Sequence, residues 1–301
     1  MFKRITITLG ALILLAAIGF TFQRFISQGN VIEVIKDGDF SEAEDLTVLV
    51  MGQVAPGQGG RWHFSPNLTD AIVLVHYKSQ TKTVNLISLP RDLYGKFGDT
   101  NLKLNRVFMN GKIEDLMATI PEMTGIEVDK YAVIDLGVIS EAVDSLGGVD
   151  VDLPSRVTDP VTGFKLEAGP QRLNGEDAIW LIRNRFAPEG DFFRERNQHL
   201  VVEAAFKKFQ ELSSLQKTVF SFRMLPEVKK TKANFDLNNL FFEFSGTNEF
   251  EFNSIVMDFN TGVFLSGSIQ VPTGESAYVL TPKEGINQYS AVRAFIQERI
   301  R

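Results

Sequence analysis

The chain has 301 residues, a formal net charge of −6, 44% hydrophobic residues and no cysteine. That hydrophobic content excludes a disordered chain, and the missing thiols exclude a disulfide scaffold, a thiolate zinc site and a cysteine nucleophile. The 37 acidic against 31 basic residues argue against general nucleic-acid binding, and only three scattered histidines (His63, His76, His199) argue against a histidine metal cluster.

Lys3 and Arg4 precede an uncharged run of 18 residues, 5–22. At about 1.5 Å per residue this run just crosses a hydrocarbon core of roughly 30 Å. The basic lead keeps residues 1–4 cytoplasmic. The expectation is a single-pass membrane anchor at 5–22, with the main domain extracytoplasmic. A cleaved signal peptide is the competing reading, but Gln23-Arg24-Phe25 follows the run instead of a small-x-small cleavage site. Residues 23–45 read as a polar linker, which leaves 46–301 for the domain.

Within the domain, the apolar runs 47–51 and 71–77 predict strands, the second buried on both faces. Between them, 52–67 is rich in Gly and Pro and reads as a loop. A turn at 79–82 returns the chain as a strand over 83–89, making a hairpin. Ile113, Leu116, Met117 and Ile120 recur at helical spacing, with Gly125 just beyond. Residues 131–135 predict a third core strand. Ile139, Ala142, Val143 and Leu146 form a helix face that Gly147-Gly148 stops. Residues 149–153 alternate with period two up to Pro154. Asn174 is the expected N-cap of a helix over 174–182, and a longer helix runs over 198–212. Residues 237–244 predict a helix, 254–257 and 267–271 strands, and 286–300 a closing amphipathic helix. This mixture predicts an α/β fold: one three-layer α/β/α domain around a central mixed sheet.

Candidate chemistry gathers on arginines. Pro90 cannot donate to a ladder, so the strand before it stops and leaves Arg91 and Asp92 at the edge where α/β folds place ligands. A plain surface Arg–Asp pair is the alternative. Arg183, Arg185, Arg194 and Arg196 fall within 14 residues, between two predicted helices. Guanidinium forks suit phosphate oxygens, and the amides at the start of the second helix would add to them. Alternatively, Glu189, Asp191 and Glu195 pair with these arginines in a solvated loop. Asp70, just before the most buried strand, is either a carboxylate for Mg²⁺ beside a phosphate or a simple turn residue. The 25 phenylalanines are core residues or the lining of a pocket for a lipid tail.

The order of motifs resembles the LytR–CpsA–Psr family. The carrying segments are Thr69-Asp-Ala-Ile-Val-Leu-Val75, Leu86-Ile-Ser-Leu-Pro-Arg-Asp-Leu-Tyr94, Lys103-Leu-Asn105 and Val133-Ile-Asp135. They continue with Asp144 to Pro154, Ala168 to Ala178, Arg183-Asn-Arg185, and Asp191-Phe-Phe-Arg194 with Gln198. The resemblance implies a membrane-anchored α/β/α domain that binds a polyprenyl-(pyro)phosphate-linked glycan. It implies transfer of the glycan phosphate to a peptidoglycan acceptor, with Mg²⁺. Carried over by position, Arg91, Arg183, Arg185 and Arg194 would hold the pyrophosphate, with Gln198 on the same head group. Asp70 would be the metal carboxylate, and Asp92, Lys103 and Asn105 supporting residues. The chain departs from the family pattern at Val54 and Leu68, where an Asp and an Arg are usual. It departs again at Asn197, with Arg196 one position before it. The first two departures favour an alternative, a non-catalytic polyprenyl-phosphate-binding protein of the cell envelope. A DNA-binding regulator is disfavoured by the outward topology and the negative charge.

Overall fold

The computed structural model describes residues 45–53, 68–128, 130–228, 231–235, 250–271 and 274–301. The expected anchor, the linker up to residue 44, most of the 52–67 loop and the expected helix at 237–244 lie outside the described residues. Among the described residues, no helix is long and apolar enough to cross a membrane.

The strands are β1 (Leu46–Gln53), β2 (Thr69–Lys78), β3 (Thr83–Ser88), β4 (Tyr94–Phe97), β5 (Thr100–Lys103), β6 (Lys130–Asp135) and β7 (Val149–Leu153). They continue as β8 (Val157–Thr158), β9 (Lys165–Leu166), β10 (Gly169–Leu173), β11 (Lys232–Ala233), β12 (Glu251–Ile255), β13 (Phe264–Gln270) and β14 (Ser276–Pro282). The helices are α1 (Leu104–Val107), α2 (Ile113–Thr124), α3 (Leu136–Ser145), α4 (Gly175–Leu181), α5 (Asp191–Gln210), α6 (Ser214–Val228) and α7 (Ser290–Arg299).

The central sheet is mixed, in the order β11-β6-β1-β2-β3-β12. Strand β2 runs antiparallel to β1 and β3, whereas β6 is parallel to β1 and β12 is parallel to β3. The C-terminal ends of β1, β3, β6 and β12 therefore meet the start of β2 at one end of the sheet. Strand alternation sends β1 residues to two cores. Val48 and Val50 join the side chains of α3, α4, α5 and α6 on one face. Leu49 and Met51 join those of α1, α2 and α7 on the other. Helices on both faces make the expected three layers.

Local chemistry fixes the approach to the functional end. Asn174 caps α4, its Oδ1 accepting from Asp177 N at 2.9 Å. Gly175 N donates to Asp144 Oδ1 at 2.7 Å, and a Cβ on Gly175 would collide with Ser140 and Asp144 of α3. Only glycine lets α4 approach α3 so closely, and α4 then delivers Ile182 and Arg183.

Helix α5 differs most from expectation. It starts at Asp191 rather than Gln198, so Arg194 and Arg196 lie on the helix and not in a loop before it. Its first turns bury Arg194, Glu195, Asn197, Gln198 and His199, and that burial erases the hydrophobic periodicity on which a sequence reading depends. Helix α6, the β4–β5 hairpin and strand β14 add elements that periodicity did not mark.

Candidate functional site

Two chain segments meet at the C-terminal end of the sheet. Arg91 and Asp92 leave β3, and the loop carrying Arg185 leads into the first turn of α5. Asp191 is the meeting point. Its Oδ2 pairs with Arg194 Nη2 at 2.7 Å and lies 3.8 Å from Arg91 Nε. Its Oδ1 lies 3.7 Å from Arg185 Nη1. An acidic residue in the first helical turn also complements the helix dipole.

A second layer holds the first. Asp92 Oδ2 accepts from Arg91 Nε at 3.3 Å, and Asp92 Oδ1 accepts from Lys103 Nζ at 2.8 Å. Asn105 N donates to Arg91 O at 3.0 Å, and Thr69 Oγ1 donates to Asn105 O at 3.2 Å. The start of β2 is thereby tied to the arginine-bearing turn. Gln198 is buried, and its Nε2 donates to Ile182 O at 3.2 Å, supporting the backbone just before Arg183. Between Arg183 and Arg185, buried Asn184 donates to Thr158 O at 2.8 Å and accepts from Phe186 N at 3.0 Å.

Arg91, Lys103, Arg185 and Arg194 thus bring four positive charges against the two carboxylates Asp92 and Asp191. Glu195 does not cancel the excess at neutral pH. Burial first, then the nearby Asp191, pushes its carboxyl up to about 8, outweighing Arg194, Arg196 and Arg91. The Arg183 guanidinium lies over the Trp180 ring, 5.5 Å from its centroid. Burial lowers it to about 10, opposed by Asp159.

The structure therefore gathers Arg91, Asp92, Lys103, Asn105, Arg185, Arg194 and Gln198, while the Arg183 guanidinium lies over Trp180. The Arg194 side chain is only 1% exposed and faces Asp191. Arg196 turns away, to Glu189 and Asp258, both at 3.2 Å. Asp70 lies on β2, and its side chain is outside the described ones. Val54 is also outside them, while Leu68 is half-buried just before β2. The carboxylates described here suit a metal poorly, because Asp92 and Asp191 are already bonded to cations. Among the described residues, no three His, Cys, Asp or Glu are grouped to hold a metal ion.

Sequence reasoning treated Asp191 as one of three possible arginine partners and missed that it is the hub. The Asp-x-x-Arg spacing of Asp191 and Arg194, one turn apart on a helix, was the available signal.

Fold and site together define a mixed α/β protein with a cationic cluster where the strands end. The LytR_cpsA_psr family model matches residues 24–280, and the chain belongs to that family. It is 28% identical over 202 residues to a Bacillus licheniformis protein named polyisoprenyl-teichoic acid–peptidoglycan teichoic acid transferase TagU, covering 66% of this chain and 63% of that protein. It is 28% identical over 235 residues to biofilm regulatory protein A of Streptococcus mutans, covering 71% of this chain and 57% of that one. The chain thus spans less than two thirds of the length of these relatives. Its fold matches that of B. subtilis TagV with a TM-score of 0.61 and 21% identity, covering 85% of this chain and 97% of the other. A structure of TagT bound to LIIa-WTA matches with a TM-score of 0.61 and 22% identity, covering 91% and 96%.

Proposed function

We propose that this chain transfers a glycan phosphate from a polyprenyl-pyrophosphate-linked donor to cell-wall peptidoglycan. The observation that carries the reading is the convergence of Arg91, Arg185 and Arg194 on Asp191 at the sheet end. Family membership and the names of the transferase relatives support it.

In this reading the diphosphate lies over the cluster, its oxygens held by Arg91, Arg183 and Arg185. A sugar hydroxyl of the acceptor attacks the sugar-side phosphorus. The new phosphorus–oxygen bond forms as the bond to the bridging oxygen breaks. Polyprenyl phosphate departs, and the hydroxyl proton passes to solvent. The guanidinium groups stabilise charge on the phosphoryl oxygens, so catalysis is electrostatic and positional. Arg194 fixes Asp191, which holds the two outer guanidinium groups in register. Gln198 and Asn105 act through the backbones they support. Asp70 would hold Mg²⁺, which would supply further neutralisation of the diphosphate when bound. The 5–22 anchor would keep the domain on the outer membrane face, beside a membrane-embedded donor.

Arg183→Ala is expected to abolish transfer, measured with a lipid-linked glycan donor and peptidoglycan acceptor. Wild-type-like turnover in that variant would sink the assignment. The alternative, polyprenyl-phosphate binding without turnover, draws on Leu68 and Val54 at positions where the family places polar ligands. Lipid phosphate retained by mass spectrometry, with no transfer at any Mg²⁺ concentration, would select it.

A further inference from the structure

Strand β14 of the β13–β14 hairpin runs beside the residues that carry Arg91 and Asp92. Leu280 N donates to Asp92 O at 2.9 Å, and Leu93 and Leu280 form an isolated parallel bridge. Strand β14 is therefore fastened to the residues that carry Arg91 and Asp92. Tyr278 lies two positions before Leu280, so its side chain leaves the same face of the strand. Tyr278 is 47% exposed. Burial, followed by the charges of Asp92 and Asp191, raises its hydroxyl pKa.

Tyr278 is not the only exposed aromatic at this end. Phe186 is 48% exposed and follows Arg185 directly. Phe259 is 49% exposed and follows Asp258, the partner of Arg196. Phe259 meets Phe192, the neighbour of Asp191, edge-to-face at 5.1 Å.

We propose that Tyr278 is an acceptor-binding residue: its ring packs against a sugar ring of the acceptor glycan and its hydroxyl bonds a hydroxyl of that sugar. This rests on the transfer reading above for the identity of the acceptor. A sugar suits the place better than a prenyl tail. Tyr278 stands two residues from Leu280, whose N donates to Asp92 O, and an alkyl chain laid there would strip water from the Asp92 carboxylate without returning a hydrogen bond. Sugar hydroxyls donate to carboxylates, and tyrosine offers an apolar face with a polar tip.

The test uses the full chain and the N-acetylglucosamine tetramer as a probe of glycan binding, with polyprenyl phosphate binding measured in parallel. Tyr278→Ala is expected to weaken tetramer binding about tenfold, and Tyr278→Phe less, with lipid phosphate binding unchanged in both. In transfer assays, Tyr278→Ala should raise the acceptor KM and leave kcat near wild type. Unchanged thermal midpoints in both variants exclude a folding defect. Tetramer binding by Tyr278→Ala equal to wild type overturns the proposal. So does the absence of tetramer binding by the wild type, or a loss of lipid phosphate binding alone, which would assign Tyr278 to the tail. Tyr278-dependent tetramer binding in a protein that transfers nothing would remove the transferase reading and leave the sugar site standing.

Discussion

The two halves of α5 bury side chains of opposite character. From Val201 to Phe209 the helix contributes Val201, Val202, Ala205, Phe206 and Phe209 to the core, and the reward is apolar area removed from water. From Asp191 to His199 it buries Arg194, Glu195, Asn197, Gln198 and His199, with Phe192 the one apolar residue among them. Burying such groups costs free energy unless each finds a partner, and a buried ion pair adds little stability beyond its own desolvation. The same helix thus anchors itself with one half and holds a charged constellation with the other. The polar half lies where the strands end, which is where a ligand can reach it.

If this division is right, the apolar half should dominate stability without influencing ligand affinity. Phe206 packs edge-to-face on Phe250 and Phe252 at 5.3 and 5.1 Å. Phe206→Ala should cost about 3–5 kcal/mol in urea denaturation. It should leave the pyrophosphate affinity of the folded fraction unchanged.

Asp191→Ala should do both. It removes the 2.7 Å partner of a buried arginine, which costs about 3 kcal/mol, and it loosens Arg91 and Arg185. The double variant Asp191→Ala with Arg194→Met should recover much of the stability but none of the binding, as measured by denaturation and by pyrophosphate titration. Recovery of binding would break the comparison.

The polar half should also govern how stability depends on pH. Glu195 has its folded pKa raised from 4.5 to about 8, so between these values the native state holds a proton that the unfolded state lacks. Stability therefore falls as pH rises through that window. His199 is driven by burial from 6.5 down to about 3, so between these values the unfolded state binds the extra proton. Stability falls there as pH drops. The two slopes oppose each other between 4.5 and 6.5, giving a plateau, with losses above and below it. Glu195→Gln should remove the alkaline limb, gaining on the order of 3 kcal/mol by pH 8 and little at pH 4.5. Denaturation midpoints across that range check the sign.

The sequence reading fared unevenly for the same reason. The strands β1, β2 and β6 carry uninterrupted apolar runs, and β3 a run broken only by the buried Asn85, because both faces are covered, and they were legible. Asn174 and the Gly147-Gly148 stop marked helix ends through capping chemistry that is local in the chain. The first turns of α5 were not legible as a helix, because a buried Arg194 or Gln198 reads as a surface residue until its partners are known. Strand β13 has solvent on most of its side chains and shows no alternation. The arginines of the site were visible by type, but their convergence on Asp191 depends on two segments about 100 residues apart meeting at one sheet end.

The smallest expected effect tests what holds the polar half against the sheet. His199 bridges two strands, its Nε2 lying 3.0 Å from Ser88 Oγ of β3 and its Nδ1 bonded to Ser254 Oγ of β12. A neutral imidazole donates through one nitrogen and accepts through the other, so both hydroxyls can be satisfied without a charge. Ser88→Ala leaves one buried ring nitrogen without its partner and should cost about 1–2 kcal/mol. The cost should hardly change with pH above 6.5, where the imidazole is neutral in both the folded and unfolded states. Because His199 directly follows Gln198, which supports Ile182, a looser bridge should also weaken pyrophosphate binding slightly, about twofold. A stability loss with no change in binding would show that the two strands fix the helix but not the arginines, and the polar half would then divide at Gln198.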